Sequence, residues 1–277
     1  MAWYKLGIPK PASAPAVSAG GGGSGDNKTI AVVYTFVSAW GEEGPPSDAS
    51  DLLDIKNTDT LTVSSMSTSG GSGLNLVSKR IYIANTGTTS TDYQFWAEVP
   101  LASASYSHTL TLSALAEVIR SRTWFPPVAG LKGLVAAGNG VLAGFADNDV
   151  WLTEAYLPHA WPPSYRKSVP YGVVGLGTFG NTLVVFTTGN VYMGSFTSPS
   201  SFVPQKLTDG KACVSKRGIV GMGDGVLYPT AEGLGYVSGD GFKLVTDPLI
   251  TREQWQALVP SSINAYRLGN RYIGFYD

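Results

Sequence analysis

The sequence predicts an all-β protein: a β-sandwich followed by a propeller-like repeat region that is incomplete within the chain. Three observations predict it. Of 277 residues, 34 are Gly and 17 are Pro, which exceeds ordinary usage and marks a chain with many tight turns. Between those turns lie short runs rich in Val, Ile, Tyr and Phe, the residues that suit a pleated, half-buried surface. In the second half, one turn-plus-strand pattern recurs at a nearly constant spacing.

Residues 1–26 hold Pro9, Pro11 and Pro15 and then Ser-Ala-Gly-Gly-Gly-Gly-Ser-Gly at 18–25. This composition predicts an extended arm and a flexible linker. Trp3, Tyr4, Leu6 and Ile8 mark the arm as one that docks, either on a neighbour or on its own domain. Residues 27–122 are the predicted sandwich. Its expected strands are Lys28–Trp40, Thr60–Ser64, Ser78–Ala84, Tyr93–Val99 and Ser105–Leu112, with one short helix over Leu112–Arg120. The first of these strands stops at Gly41-Glu-Glu-Gly-Pro-Pro-Ser47, a turn whose neighbouring Glu42 and Glu43 are expected to point apart into solvent. The domain boundary is placed at Trp124-Phe-Pro-Pro127, because Pro cannot donate to a strand ladder.

Residues 123–277 form the repeat region. Gly138-Asn139, Gly180-Asn181, Gly223-Asp224 and Gly269-Asn270 each open an apolar strand, and their glycines lie 42, 43 and 46 residues apart. A Gly-Asn or Gly-Asp pair accepts φ > 0 at small steric cost, as a tight hairpin requires. After each of the first three pairs comes a second turn (Asn148-Asp149, Gly189-Asn190, Gly233-Leu234) and a strand bearing Trp151, Tyr192 or Tyr236. Units of this length with several strands each are the signature of propeller blades. Three full units and one opening strand are visible. Thr251-Arg-Glu-Gln254 reads as a capping box for one helix between the third and fourth units.

Charge and composition exclude several functions. Net charge is −1, charged residues make up only 14% of the chain, and no basic stripe is present. Sequence-specific nucleic-acid binding, which neutralises phosphates with Lys and Arg, is therefore not expected. A surface so poor in charge is expected to be covered by other chains. The N-terminus lacks a signal-peptide core, and no apolar run is long enough to span a membrane. Cys213 is the only cysteine and reads as a small buried residue.

No motif for catalysis, cofactor or metal is complete. Gly175-Leu-Gly177-Thr-Phe-Gly180 has the dinucleotide-binding spacing, but a strand follows it where that site requires a helix. Asp147-Asn148-Asp149 begins like a calcium loop and then continues with Trp151 and Leu152 in place of a ligand and a glycine. His108 and His159, the only histidines, have no nearby partner for metal or base chemistry. No enzyme, cofactor or metal site is expected.

Tyr34-Thr-Phe-Val-Ser-Ala-Trp-Gly-Glu-Glu-Gly-Pro-Pro-Ser47 resembles the closing strand and turn of a fibronectin type III domain. Lys79–Ile83 and Phe95–Val99 are similar to further strands of that fold, although the closing motif comes first here. Gly144-Phe145, Leu157-Pro-His-Ala-Trp-Pro162, Cys213-Val-Ser-Lys-Arg217, Glu232-Gly-Leu234 and Gln254-Trp255 together resemble a family of bacteriophage virion proteins found among tail genes. That resemblance implies a short-tail nozzle-like architecture. Copies would form a ring, sixfold by expectation, around the DNA channel and dock other tail or connector proteins, with only passive DNA contact. It also implies a place in the virion after assembly in the host cytoplasm, a role in DNA ejection, and no catalytic residue. Trp3, Tyr4, Trp40, Glu42, Glu43 and Trp161 are the expected interface residues. Two other readings remain open: a receptor- or glycan-binding tail module using exposed Trp and Tyr, and a propeller glycosidase with two convergent carboxylates.

Overall fold

A computed structural model describes residues 3–85 and 92–277. The chain divides into two units, Met1–Pro127 and Val128–Asp277. Both are built from antiparallel sheets, and the only α-helix among the described residues is α1 (Arg252–Ala257).

The first unit contains β1 (Ala16–Gly20), β2 (Ser24–Ser38), β3 (Leu53–Asn57), β4 (Thr60–Ser64), β5 (Leu76–Asn85), β6 (Tyr93–Pro100) and β7 (Tyr106–Thr109). They form a three-stranded sheet, β1-β4-β7, and a four-stranded sheet, β3-β2-β5-β6. The two sheets share one core. Ile30, Val32, Tyr34 and Phe36 of β2 meet Ile81 and Ile83 of β5, and Leu61 and Val63 of β4. Because side chains alternate along a strand, the intervening residues of β2 face the other way. There Val33 packs with Tyr82 and Ile119. Burial on both faces explains why β2 reads as an almost continuous apolar run.

The arm and linker expected over 1–26 are not separate from this unit. Ala16–Gly20 pairs with β4, and the glycine run forms the connection into β2. Ile8 is buried in the shared core. A Cβ on Gly44 would lie 2.5 Å from Ile8 Cγ2, so glycine there is what lets the N-terminal segment approach. The segment that resembles a closing strand is β2, paired on both sides. One further expectation needs correction: Leu112–Arg120, expected as a short helix, holds only a 3-10 turn, Leu112–Ala114. Leu112 and Leu115 pack on the shared core and Ile119 in the cluster with Val33 and Tyr82, while the Phe95 backbone bonds residues 116 and 117, which draws the segment out alongside β6.

The second unit is serial. β8 (Lys132–Ala136), β9 (Leu142–Ala146), β10 (Asp149–Leu152) and β11 (Lys167–Ser168) form the first sheet. β12 (Val173–Phe179), β13 (Thr182–Thr187), β14 (Val191–Ser195) and β15 (Gln205–Lys206) form the second. β16 (Val220–Gly221), β17 (Gly225–Pro229), β18 (Leu234–Ser238) and β19 (Gly241–Leu244) form the third. β20 (Asn264–Leu268) and β21 (Arg271–Phe275) form a two-stranded fourth sheet. Within each sheet the strands lie in chain order. Opening strands neighbour one another, β12 lying against both β8 and β16, and β16 against β20.

Successive sheets share cores. Leu183 and Val185 of β13 pack with Phe145, Val150 and Leu152 of the first sheet. Val184 and Phe186, on the opposite face of the same strand, pack with Val226, Tyr228 and Val237 of the third. Trp255 of α1 joins Val220 and Leu234 to Ala265 of the fourth, and its Nε1 donates to the Thr230 carbonyl at 2.9 Å. Thr251 and Gln254 make the expected capping box at the start of α1.

Candidate functional site

The four glycine-led pairs occupy one structural position. Gly138-Asn139, Gly180-Asn181, Gly223-Asp224 and Gly269-Asn270 each lie between the first and second strands of their sheets. The glycines have φ of +86°, +50°, +106° and +62°, conformations that side chains rarely tolerate. Trp151, Tyr192 and Tyr236 all fall on third strands. These residues form the turns and third strands of the sheets.

A second repeated device has no counterpart among the residues singled out from sequence. Thr187 and Thr230 are fully buried and lie seven residues after Gly180 and Gly223. The Thr187 hydroxyl donates to the Asn190 carbonyl and accepts from the Gly189 and Asn190 amides. Thr230 repeats this with Gly233, Glu232 and Gly233. Each threonine ties the turn from second to third strand. Their separation of 43 residues, equal to that of the glycines, was the available signal.

Four of the six expected interface residues gather in the first unit. Trp3, Tyr4, Trp40 and Glu42, with Lys5, Leu6 and Gly7, line a surface cleft of about 260 Å³. Tyr4 and Trp40 meet edge to face, with centroids 5.3 Å apart and planes at 81°. Trp3 is 88% exposed and Trp40 61%. The Ser38 hydroxyl holds the turn that carries Trp40 and Glu42, accepting from both their amides at 3.2 Å and donating to Glu42 Oε2 at 3.1 Å. The Lys5 amide donates to the Gly73 carbonyl at 2.7 Å and fixes the opposite wall.

Glu43 and Trp161 are not at a surface. Glu43 is 6% exposed, so the expected pair of solvated carboxylates is corrected to one partly covered and one buried. Glu43 Oε1 accepts from Thr35 Oγ1 at 2.7 Å and Tyr82 Oη at 2.8 Å, and Oε2 pairs with Arg80 at 3.0 Å. Arg80 also bonds Glu98 at 3.0 Å, and Glu98 accepts from Ser78. Burial alone would lower the Arg80 pKa, but the hydrogen bonds and charges of Glu98 and Glu43 outweigh it and hold it above its ordinary value. Burial, then the Glu43 charge, pushes the Tyr82 phenol up. This network clamps the β2–β3 turn onto the outer face of the four-stranded sheet. Trp161 is 1% exposed and donates Nε1 to the Pro158 carbonyl at 3.0 Å, so the Pro-rich loop folds over its own tryptophan.

Lys79 is fully buried. Its side chain takes the inward side of β5, as Ile81 and Ile83 do, and Nζ donates to the carbonyls of Ser67 at 2.9 Å and Ser103 at 2.5 Å. Burial pulls its pKa down to about 8. Cys213 is buried with its thiol pushed up to about 12 by that burial. His108 is exposed beside the Tyr106 ring, and His159 is buried. Asp147-Asn148-Asp149 is the β9–β10 turn, with Asn148 Nδ2 donating to the Val169 carbonyl and Asp149 accepting from Ser168. Among the described residues no group of three or more His, Cys, Asp or Glu side chains is placed to hold a metal ion, and no helix is long and apolar enough to cross a membrane.

The fourth sheet is open. Its inner face puts Ala265 in a shared core and sets Tyr272 Oη to donate to the Gly218 carbonyl at 3.0 Å. The paired residues Tyr266–Ile273, Leu268–Arg271 and Asn264–Phe275 share the other face. There Tyr266, Leu268 and Phe275 are 66%, 66% and 61% exposed. Among the described residues β21 has no strand on the side where the other three sheets carry their third and fourth strands.

No protein-family model matches this chain, and no curated protein matches it. Among solved structures, apo AztD from Citrobacter koseri aligns at 12% identity and a TM-score of 0.27, over 79% of this chain and 56% of that one. This chain therefore spans little more than half of that protein's length, and a likeness so slight carries no argument about either fold or function.

Proposed function

We propose that the protein is a structural building block whose second unit is a run of propeller blades and whose first is a fibronectin-type sandwich. Three meandering four-stranded sheets with adjacent opening strands support the blade reading. The three-plus-four division of strands around one core supports the sandwich. The observation that carries the structural role is the fourth sheet. An apolar face and an unpaired strand edge side by side are a template for further protein, and bare in water they invite uncontrolled association. The reading is that further protein, whether more of the same polypeptide or another chain, packs on that face and edge. The resemblance to phage virion proteins supports reading this block as part of a tail ring around the DNA channel, with DNA a passive neighbour.

Sedimentation velocity over a concentration series tests the assembly. The chain is expected to associate as concentration rises, and Leu268→Glu with Phe275→Glu, both at exposed positions, is expected to abolish this. A monomer at every concentration would overturn the reading. Electron microscopy of the particle, with the chain located in it, tests the tail position.

A further inference from the structure

The cleft lined by Trp3, Tyr4 and Trp40 is a feature that the fourth sheet's role in assembly does not require. Large aromatic side chains normally bury most of their surface. Here two tryptophans and a tyrosine stay open to solvent around one concavity, on backbone pinned by Ser38 and Gly73. The concavity is small. At about 260 Å³ it falls below the roughly 300–1,000 Å³ typical for drug-sized ligands, and its perpendicular Tyr4 and Trp40 rings make a corner rather than a flat patch.

The rim fixes the chemistry. Lys5 and Glu42 flank the aromatic rings, one a donor and one an acceptor, and their charges cancel. A charged ligand would meet one favourable and one unfavourable group. A neutral ligand rich in hydroxyls satisfies both, since a hydroxyl donates to a carboxylate and accepts from an ammonium. A ligand that also presents an apolar C–H face matches the electron-rich ring faces. Pyranose sugars combine those two properties. We propose that this cleft is a carbohydrate-binding site, taking one ring of a neutral hexopyranose chain against Trp40, with Glu42 and Lys5 bonding its hydroxyls. Ser38 is a positioning residue, since it orients both Trp40 and Glu42.

This site stands apart from the assembly proposal, because it belongs to the first unit alone. The test is titration of the full chain with cellotetraose, chitotetraose and maltotetraose, followed by tryptophan fluorescence and saturation-transfer NMR. At least one is expected to bind saturably, with contacts to its ring protons. Trp40→Ala is expected to weaken binding about tenfold or more, and Glu42→Gln to weaken it less. Tyr156→Ala, which alters an exposed tyrosine of the other unit, is expected to leave it unchanged. Unfolding midpoints check that the variants remain folded, and the double variant Trp3→Ala with Trp40→Ala guards against one ring substituting for another. Absence of saturable binding for all three sugars would overturn the proposal, as would binding that survives the double variant. If that variant instead abolished self-association in sedimentation, the cleft would be a protein contact and the proposal would fail.

Discussion

The first unit closes one core between two sheets and buries charge to do so, with Lys79 inside and Glu43 beneath a turn. The second unit builds one core after another between neighbouring sheets, and its buried polar residues are uncharged Thr and Ser and His159. The contrast follows from connectivity. In the first unit, strands far apart in sequence must find each other, and ionic groups that bond at only one register help to specify that arrangement. In the serial unit each sheet is a local meander, so short-range turns specify it and no buried ion pair is needed.

The largest effect that sharpens this contrast is Trp161→Ala. Loss of a fully buried tryptophan is expected to cost about 3–5 kcal/mol. Hydrogen exchange should show the loss in the first sheet of the serial unit and spare the third. Equal loosening of all four sheets would break the idea that the unit is a series. Glu43→Ala is expected to cost about 2–4 kcal/mol, discounted because Arg80 is partly exposed and keeps Glu98. Thr35 and Tyr82 lose their acceptor, and chemical unfolding followed by exchange should place the damage in the first unit alone.

These two residues also show where sequence reading stopped. The repeat was legible because left-handed turns demand Gly and Asn locally, whatever the rest of the chain does. Strand composition likewise revealed β2, β4, β5, β6 and β7. β1 and β3 escaped it, since Ala16–Gly20 is strand only because β4 lies beside it. Glu43 looked solvated because its partners Arg80 and Tyr82 lie 37 and 39 residues away. Trp161 looked like a contact residue because an aromatic between prolines does not reveal which way the loop folds. The cleft residues Trp3 and Trp40 were named individually, and only the fold places them together.

A pH series tests the buried charge by a smaller effect. Lys79 falls from 10.5 to about 8 on folding. Below pH 8 its amine is charged in both states and the burial cost is complete. Between 8 and 10.5 the unfolded chain binds more protons, so stability rises with pH. Above about 10, Tyr82 ionises only in the unfolded chain, because its folded pKa is raised, and stability falls again. The stability of the first unit, read from urea unfolding, is expected to gain about 2 kcal/mol between pH 8 and 10, and Lys79→Met should remove the rise. A flat profile would show that Lys79 shares no linkage with folding. The smallest effect is Thr187→Val or Thr230→Val, each expected to cost about 1–3 kcal/mol by leaving turn amides unpaired. The two values should agree closely, since the devices repeat; a large disparity would count against structural equivalence of the second and third sheets.

Hydrogen exchange along β21 reads whether its edge and apolar face are covered by further protein. Amides of Arg271–Phe275 are predicted to exchange fast in dilute protein and to slow markedly as concentration rises, and to stay fast in the Leu268→Glu, Phe275→Glu variant. Exchange that remains equally fast at every concentration, with the native chain monomeric throughout, would contradict that covering.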